Sequence, residues 1–240
     1  MNNEKVTKAL NEVFVTFKKS EVAAVYLTGS MLNNLNGSTS DVDLYVVLRQ
    51  SKLNLVNSSL KSGQHTGEND YKYMETYKFA SSLLKTNPTT LEMVYNEPLY
   101  VSDEFKPMAD FLFENKDKMV TLNLKRYYSS SYHMLANNMR SLTKDPSNPK
   151  FNKFVMNFYK GYMQATATNR GDELSNYVKF TGKKQAKLLS LKHMKHLNES
   201  ELEDLVKEMN EMLDELKELK EKYTNVKVNQ ELLDQMLTYL

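Results

Sequence analysis

Leu27-Thr28-Gly29-Ser30, followed by Ser40-Asp41-Val42-Asp43-Leu44, is the stretch on which the fold of this chain turns. Val25, Tyr26 and Leu27 read as a short buried strand, and Gly29 gives the chain a bend sharp enough for backbone N–H groups to approach a phosphate. Ser30 then opens the next helix with its hydroxyl toward the same anion. Asn36-Gly37 marks a turn, and the alternating, β-branched run from Asp41 to Leu48 predicts a second strand. Strand side chains repeat every second residue, so Asp41 and Asp43 are expected on one face. Two carboxylates held that close repel each other unless a cation lies between them. Magnesium, which takes carboxylates together with phosphate oxygens, suits the pair.

Outward from this stretch, Val6, Leu10, Val13, Phe14 and Phe17 recur at helical spacing and predict a helix from Val6 to Lys18. The expected order is then a strand over Val22 to Thr28, a short helix over Met31 to Leu35, the strand Asp41 to Leu48, and a polar loop through Gly63 and Gly67. Asp70 is placed to cap a helix carrying Tyr73, Tyr77, Ala80, Leu83 and Leu84. Asn87-Pro88 stops that helix, and Thr90 to Tyr95 reads as a third strand carrying Glu92. Beyond Glu97-Pro98 the pattern turns helical, over residues 105–145 and 151–195, with the break Asp145-Pro146-Ser147-Asn148-Pro149 between them. A last long helix begins at the capping box Ser200-x-x-Glu203. It carries Leu202, Leu205, Met209, Met212, Leu216, Leu219 and Tyr223 in 3-4 alternation. That seam packs within the chain, the favoured reading, or against a second copy, which leaves a homodimer open.

The expected class is therefore α+β: a small mixed sheet flanked by helices over residues 1–100, then a helical C-terminal domain over 101–240 for acceptor binding or dimerisation. At 240 residues the chain can bury a sizeable core. Its hydrophobic fraction of 40% and charged fraction of 26% are those of a soluble globular protein. A net charge of only +2 means that an anionic partner must be met by a local patch. The absence of cysteine removes disulfides, zinc-thiolate sites and thiol nucleophiles together. With no apolar run near the length of a membrane span and no signal-peptide pattern at the N-terminus, no membrane contact is expected and a cytoplasmic location is the default.

A Gly-Ser turn followed by Asp-x-Asp resembles the polymerase-β-like nucleotidyltransferase superfamily, residue by residue from Leu27 to Leu44. More narrowly the chain looks like the RNA-ligase-associated group of these enzymes, on Gly29-Ser30, Ser40-Asp41-Val42-Asp43, the segment from Asp70-Tyr71 through Tyr77-Lys78-Phe79, and Asn87-Pro88-Thr89-Thr90-Leu91-Glu92. The likeness extends more weakly to Lys153 through Lys160 and to Leu188 through Lys192. It departs where related sequences tend to show a His and an Arg downstream of a Lys, for this chain has Asn157 and Lys160.

The resemblance implies a metal-dependent transfer of a nucleoside monophosphate from a nucleoside triphosphate, ATP foremost, to a hydroxyl acceptor, with RNA among the candidates and pyrophosphate released. Asp41 and Asp43 would hold two magnesium or manganese ions roughly 4 Å apart. Glu92 would complete the site and take the incoming hydroxyl's proton. Gly29, Ser30 and Ser40 would bind the triphosphate. Lys153 and Lys160, seven apart and so on one helix face, both touch it, or one does, or neither. Two other readings stand beside this one: a nucleotide-binding module without turnover, and a transferase acting on a protein or small molecule.

Each candidate also has a plainer reading. Asp70 is first a helix cap and second a reserve third carboxylate. Glu92 reads also as an exposed acid on an edge strand. The interval Leu174 to Asn198 holds Lys179, Lys183, Lys184, Lys187, Lys192 and Lys195 and no acid. It either steers triphosphate or RNA, with Tyr177 and Phe180 available for stacking, or is a solvated helix face. His193 and His196 read as surface residues without zinc-ligand spacing. Tyr127, Tyr128 and Tyr132 read as packing.

Overall fold

Val6, Ala9 and Val13 recur on one side of α1 (Asn3–Thr16) and are buried, which lays that helix against the sheet by the 3-4 spacing of its apolar residues. The structure is a computed structural model that describes residues 3–37, 40–57, 59–66, 69–195 and 197–239. After a 3-10 turn at Lys19–Glu21, β1 (Val22–Thr28) runs into the sheet interior. Then come the short α2 (Gly29–Leu32) and β2 (Asp43–Leu48). β1 and β2 pair antiparallel, with Thr28 opposite Asp43 and Tyr26 opposite Tyr45. The seven residues from Val42 to Leu48 are almost all buried apolar ones, as strands covered on both faces must be.

Between Arg49 and Asp70 the expected polar loop is only partly a loop. It contains α3 (Lys52–Val56) and the polar edge strand β3 (Ser62–His65), in which Gly63 lies, and it leads into β4 (Tyr71–Glu75). The pattern Ser-Gly-Gln-His is a strand that pattern reading misses, since a solvent-facing edge needs no apolar alternation. Gly67 lies outside the described residues. β4 pairs parallel with β2 and antiparallel with β3, and β5 (Tyr100–Val101) closes the far side on β1, so the sheet order is β3-β4-β2-β1-β5.

Three further expectations are corrected. Asp70 caps no helix: it stands just ahead of β4, its carbonyl accepting from the Leu44 N–H at 3.0 Å. Tyr73 accordingly belongs to β4, and the helix, α4 (Thr76–Leu84), starts after Glu75. The third strand expected at Thr90 to Tyr95 is a helix, α5 (Pro88–Val94). Asn87 Oδ1 accepts from Thr89 N at 3.0 Å and Thr90 N at 3.3 Å, with Pro88 in the first turn. That cap with a proline just inside it outweighs the β-branched content of Thr89, Thr90 and Val94. Glu92 is thus a helical residue.

Glu75 is the buried charge of this region, only 2% exposed. Its carboxylate accepts from Asn54 Nδ2 at 2.7 Å, Lys61 N at 2.9 Å, Gln50 Nε2 at 3.2 Å and Ser51 N at 3.4 Å. Burial alone would raise its pKa; the donors from Lys61, Asn54, Ser51 and Gln50 outweigh that and hold it below the usual carboxylate value. One side chain therefore fastens α3 and the approach to β3 onto the end of β4.

The chain continues through α6 (Lys106–Glu114), α7 (Lys116–Met119) and a 3-10 turn at Val120–Asn123 into long helices. These are α8 (Leu124–Lys144), α9 (Phe151–Arg170), α10 (Gly182–Lys192) and α11 (Glu199–Lys222). The break at Asp145 to Pro149 falls between α8 and α9 as expected. The capping box of α11 lies two residues earlier than expected: Asn198 Oδ1 accepts from Glu201 N at 2.9 Å and Asn198 N donates to Glu201 Oε2 at 2.8 Å. Met209, Leu216 and Leu219 of the heptad seam are buried, and α11 packs on α8 and α9 of the same chain. Tyr127 and Tyr128 are buried, and Tyr128 stacks on Tyr223 at 4.5 Å. Tyr177 and Phe180 are buried too, which removes them as base-stacking platforms. His193 is exposed, and His196 lies outside the described residues.

The final helix, α12 (Gln230–Leu237), returns to the sheet unit and packs on α6. The backbone thus forms two compact units, residues 1–122 with 228–240, and residues 123–227. The first is larger than the expected 1–100 because the chain comes back to it. Among the described residues no helix is long and apolar enough to cross a membrane.

Candidate active site

The bend after β1 brings a backbone and a carboxylate together. Gly29 has φ +66°, in the left-handed region that favours glycine. A Cβ built on it would lie 2.0 Å from Asp43 Oδ2 and 2.8 Å from Asp43 Cβ. The Asp43 side chain therefore occupies the space that any other residue at 29 would fill. The pairing of Thr28 with Asp43 forces this approach, and Thr28 Oγ1 reinforces it by donating to the Asp43 carbonyl at 3.2 Å. Beneath lies a hydrophobic floor containing the paired Tyr26 and Tyr45. Burial pushes the Tyr45 hydroxyl up to about 12 and Tyr26 higher still, so both remain neutral.

The other predicted residues distribute as follows. Asp41 precedes β2 instead of lying in it, yet the in–out pattern holds: Asp41 is exposed, Val42 buried, Asp43 half-buried and Leu44 buried. Ser30 is half-buried in α2, its carbonyl accepting from Leu35 N at 2.8 Å. Ser40 closes the turn that feeds Asp41, its Oγ accepting from Gly37 N at 2.8 Å and its N–H donating to the Gly37 carbonyl at 3.1 Å. Glu92 is half-buried on α5. Lys153 and Lys160 lie on α9 of the second unit, Lys153 exposed and Lys160 half-buried.

Asp70 gains the most from the fold. The parallel ladder sets Leu44 beside Tyr71, so the residues one step back, Asp43 and Asp70, flank each other at the same end of neighbouring strands. The signal for this was present in the alternation Asp70-Tyr71-Lys72-Tyr73, which reads as a strand once a parallel partner is supplied. Among the described residues no group of three or more His, Asp or Glu side chains stands close enough to enclose a metal ion. Asp41 and Asp43 are nonetheless hard oxygen donors of the type magnesium takes, and that ion is commonly bound by one or two carboxylates, with water and substrate phosphate completing its shell.

Residues 8–111 match the family model described as a nucleotidyltransferase domain. Those residues are a nucleotidyltransferase domain. The match spans α1 through most of α6 and lies wholly within the first compact unit. It assigns these residues to the polymerase-β-like nucleotidyltransferase domains and does not distinguish the RNA-ligase-associated group among them. A comparison with curated protein sequences gives no match. Among solved structures, a nucleotidyltransferase-like protein from Exiguobacterium sibiricum 255-15 is similar at 13% identity and a TM-score of 0.31, covering 92% of this chain and 76% of that one. So distant a likeness adds nothing to the fold as described.

Proposed function

We propose that the nucleotidyltransferase domain moves a nucleoside monophosphate from a nucleoside triphosphate, ATP foremost, to a hydroxyl on RNA, in the cytoplasm and with magnesium or manganese as its ion. The observation that carries this reading is the seating of the Asp43 carboxylate against Gly29. It sets an anionic metal donor beside a backbone stripped of side chain, where a triphosphate and its ion would be held together.

Asp41 and Asp43 would hold the metal, and its chemistry there would be to neutralise charge on the attacking and leaving oxygens. The chain's own groups do the rest. The Gly29 turn and Ser30 bind the triphosphate, and the Ser40 turn presents Asp41. Asp70, flanking Asp43 from β4, takes the third-carboxylate place that the resemblance gives to Glu92, and accepts the proton from the acceptor hydroxyl. The bond from acceptor oxygen to the α-phosphorus forms as the bond to pyrophosphate breaks, and the electron pair leaves on pyrophosphate.

The test is incubation of the protein with each labelled triphosphate, magnesium and candidate acceptors, reading pyrophosphate release and the acceptor's mass. A gain of one nucleoside monophosphate on RNA is the expected result; pyrophosphate release that survives in both Asp41→Ala and Asp43→Ala would overturn the assignment. A second reading, nucleotide binding without turnover, is favoured by the lack of a three-acid cluster among the described residues. It predicts saturable triphosphate binding with no pyrophosphate.

A further inference from the structure

Asp70 flanks Asp43, and the residues on either side of it are both tied to α1. Asn69 is buried, and its Nδ2 donates to Glu12 Oε2 at 2.8 Å. Tyr71 is buried as well, and its hydroxyl donates to Thr16 Oγ1 at 2.7 Å. The alternation of extended backbone fits this split: Asn69 and Tyr71 face α1, and Asp70 between them faces the other side of the sheet. Phe17 meets the Tyr71 ring edge-on at 6.2 Å, and His65 of β3 stacks on that ring at 4.5 Å. The backbone is held too, by the Leu44 N–H on the Asp70 carbonyl at 3.0 Å.

Both ties converge on one residue of α1. Glu12 holds Asn69 with its carboxylate, and its carbonyl accepts at 3.2 Å from Thr16 Oγ1, the same hydroxyl that Tyr71 bonds. Ala9, Glu12, Val13 and Thr16 fall at 3-4 spacing, so Glu12 and Thr16 continue the stripe in which Ala9 and Val13 are buried. Apolar residues at those two places would pack the helix on the sheet unaided. A carboxylate and a hydroxyl stand there instead, and they grip the two neighbours of a single acid.

We propose that Glu12 and Thr16 are positioning residues for the Asp70 carboxylate, fixing from the far face of the sheet the group that takes the acceptor's proton. The inference rests on the role given to Asp70 above. Neither residue touches substrate; each acts through Asn69 or Tyr71. A proton acceptor must lie within hydrogen-bond reach of the hydroxyl, and a misplacement of about 1 Å can cost about 10²-fold. The Gly29 turn follows β1, which β2 separates from β4. Loss of the ties should therefore slow the chemical step and leave the hold on the triphosphate as it is.

The experiment is steady-state pyrophosphate release by the full chain carrying Glu12→Ala, Thr16→Val or Tyr71→Phe, beside Asp70→Asn and the conservative Glu12→Gln and Thr16→Ser, with thermal melting of each. Glu12→Ala is expected to lower kcat about tenfold, and Thr16→Val and Tyr71→Phe about threefold, with KM for the triphosphate within about twofold of wild type. Glu12→Gln and Thr16→Ser keep an acceptor oxygen in place and should hold kcat within about twofold of wild type. In an Asp70→Asn chain, Glu12→Ala should lower kcat no further, because residues that act as a unit are not additive. Wild-type kcat in both Glu12→Ala and Tyr71→Phe would overturn the proposal. So would a Glu12→Ala loss that is equal with and without Asp70→Asn, the mark of a tie that only holds the fold. Should Glu12→Ala not fold, Tyr71→Phe combined with Asp70→Asn decides in the same way. Wild-type kcat in Asp70→Asn would remove the role given to Asp70, and a wild type without turnover would remove the functional reading, each taking this inference with it. A slow Asp70→Asn beside unimpaired α1 variants would remove the positioning alone.

Discussion

At the Gly29–Asp43 end of the sheet the backbone itself decides what stands where, while in the helical unit from Asn123 to Lys227 side-chain charge does. In the first, a left-handed glycine and a strand pairing put a carboxylate against bare backbone. In the second, lysines gather on a segment without acids while the next helix, α11, carries the Glu and Asp residues. Chemistry needing fixed positions within about half an ångström belongs on rigid strands and their immediate turns. Recognition of a long, flexible polyanion tolerates looser placement and is served by a helix surface. The two regions thus differ in what sets their polar groups, strand pairing in the first and helix surface in the second.

Removing a strand-end carboxylate should break the comparison most severely. Asp43→Ala or Asp41→Ala should lower the rate of nucleotidyl transfer by about 10³-fold, as loss of a positioned charge-stabilising group does. Melting should change by less than about 1 kcal/mol for the exposed Asp41. Steady-state rates beside thermal unfolding check both.

Next in size is the choice of the third acid. Asp70→Asn should cost about 10²-fold in kcat with little change in nucleotide affinity, the lower end for loss of a general base, whereas Glu92→Gln should stay within a few-fold. The reverse order would return the role to α5. The pair also shows where the sequence was readable. β1 and the approach to Asp43 were legible because a glycine turn and β-branched runs are local signals. The place of Asp70 beside Asp43 was not, because it arises from a parallel partner twenty-seven positions away, Leu44 beside Tyr71, and nothing local encodes that pairing. The strand expected around Glu92 misled for the opposite reason: Thr89, Thr90 and Val94 suggest a strand, and Asn87 with Pro88 overrides them by capping a helix. Ser62 to His65 carries no strand signal, since an exposed edge strand needs no apolar alternation.

Glu75 offers a contrast of another kind, a carboxylate that builds the scaffold. Glu75→Ala leaves four donors without their acceptor and should destabilise the first unit by about 3 kcal/mol, read by denaturant unfolding. Its folded pKa is depressed, so its contribution is complete above the carboxylate's unfolded value and is lost as pH falls through the folded one. Acid titration of wild-type stability should therefore show a decline below about pH 4.5 that Glu75→Gln lacks. The smallest effect concerns the helical unit alone: Asn198→Ala removes the side-chain bond of the α11 capping box, leaving the one donated by its backbone N–H, and should cost about 1 kcal/mol without altering transfer.

The route of the chain has a consequence for how this protein can be rebuilt. Leaving the first unit after Leu122 and re-entering it at Val228, the backbone passes the same place twice, and Asn229 N–H meets the Leu122 carbonyl at 2.9 Å. The four long helices are therefore a cassette spliced into a continuous parent, with its two seams side by side. Joining the stumps with a short glycine linker should leave the parent's hydrogen bonds intact, and a foreign cassette of similar end spacing could be grafted there. Trimming the last dozen residues, by contrast, would strip α12 from α6 and injure the half of the molecule that lies farthest from them in sequence.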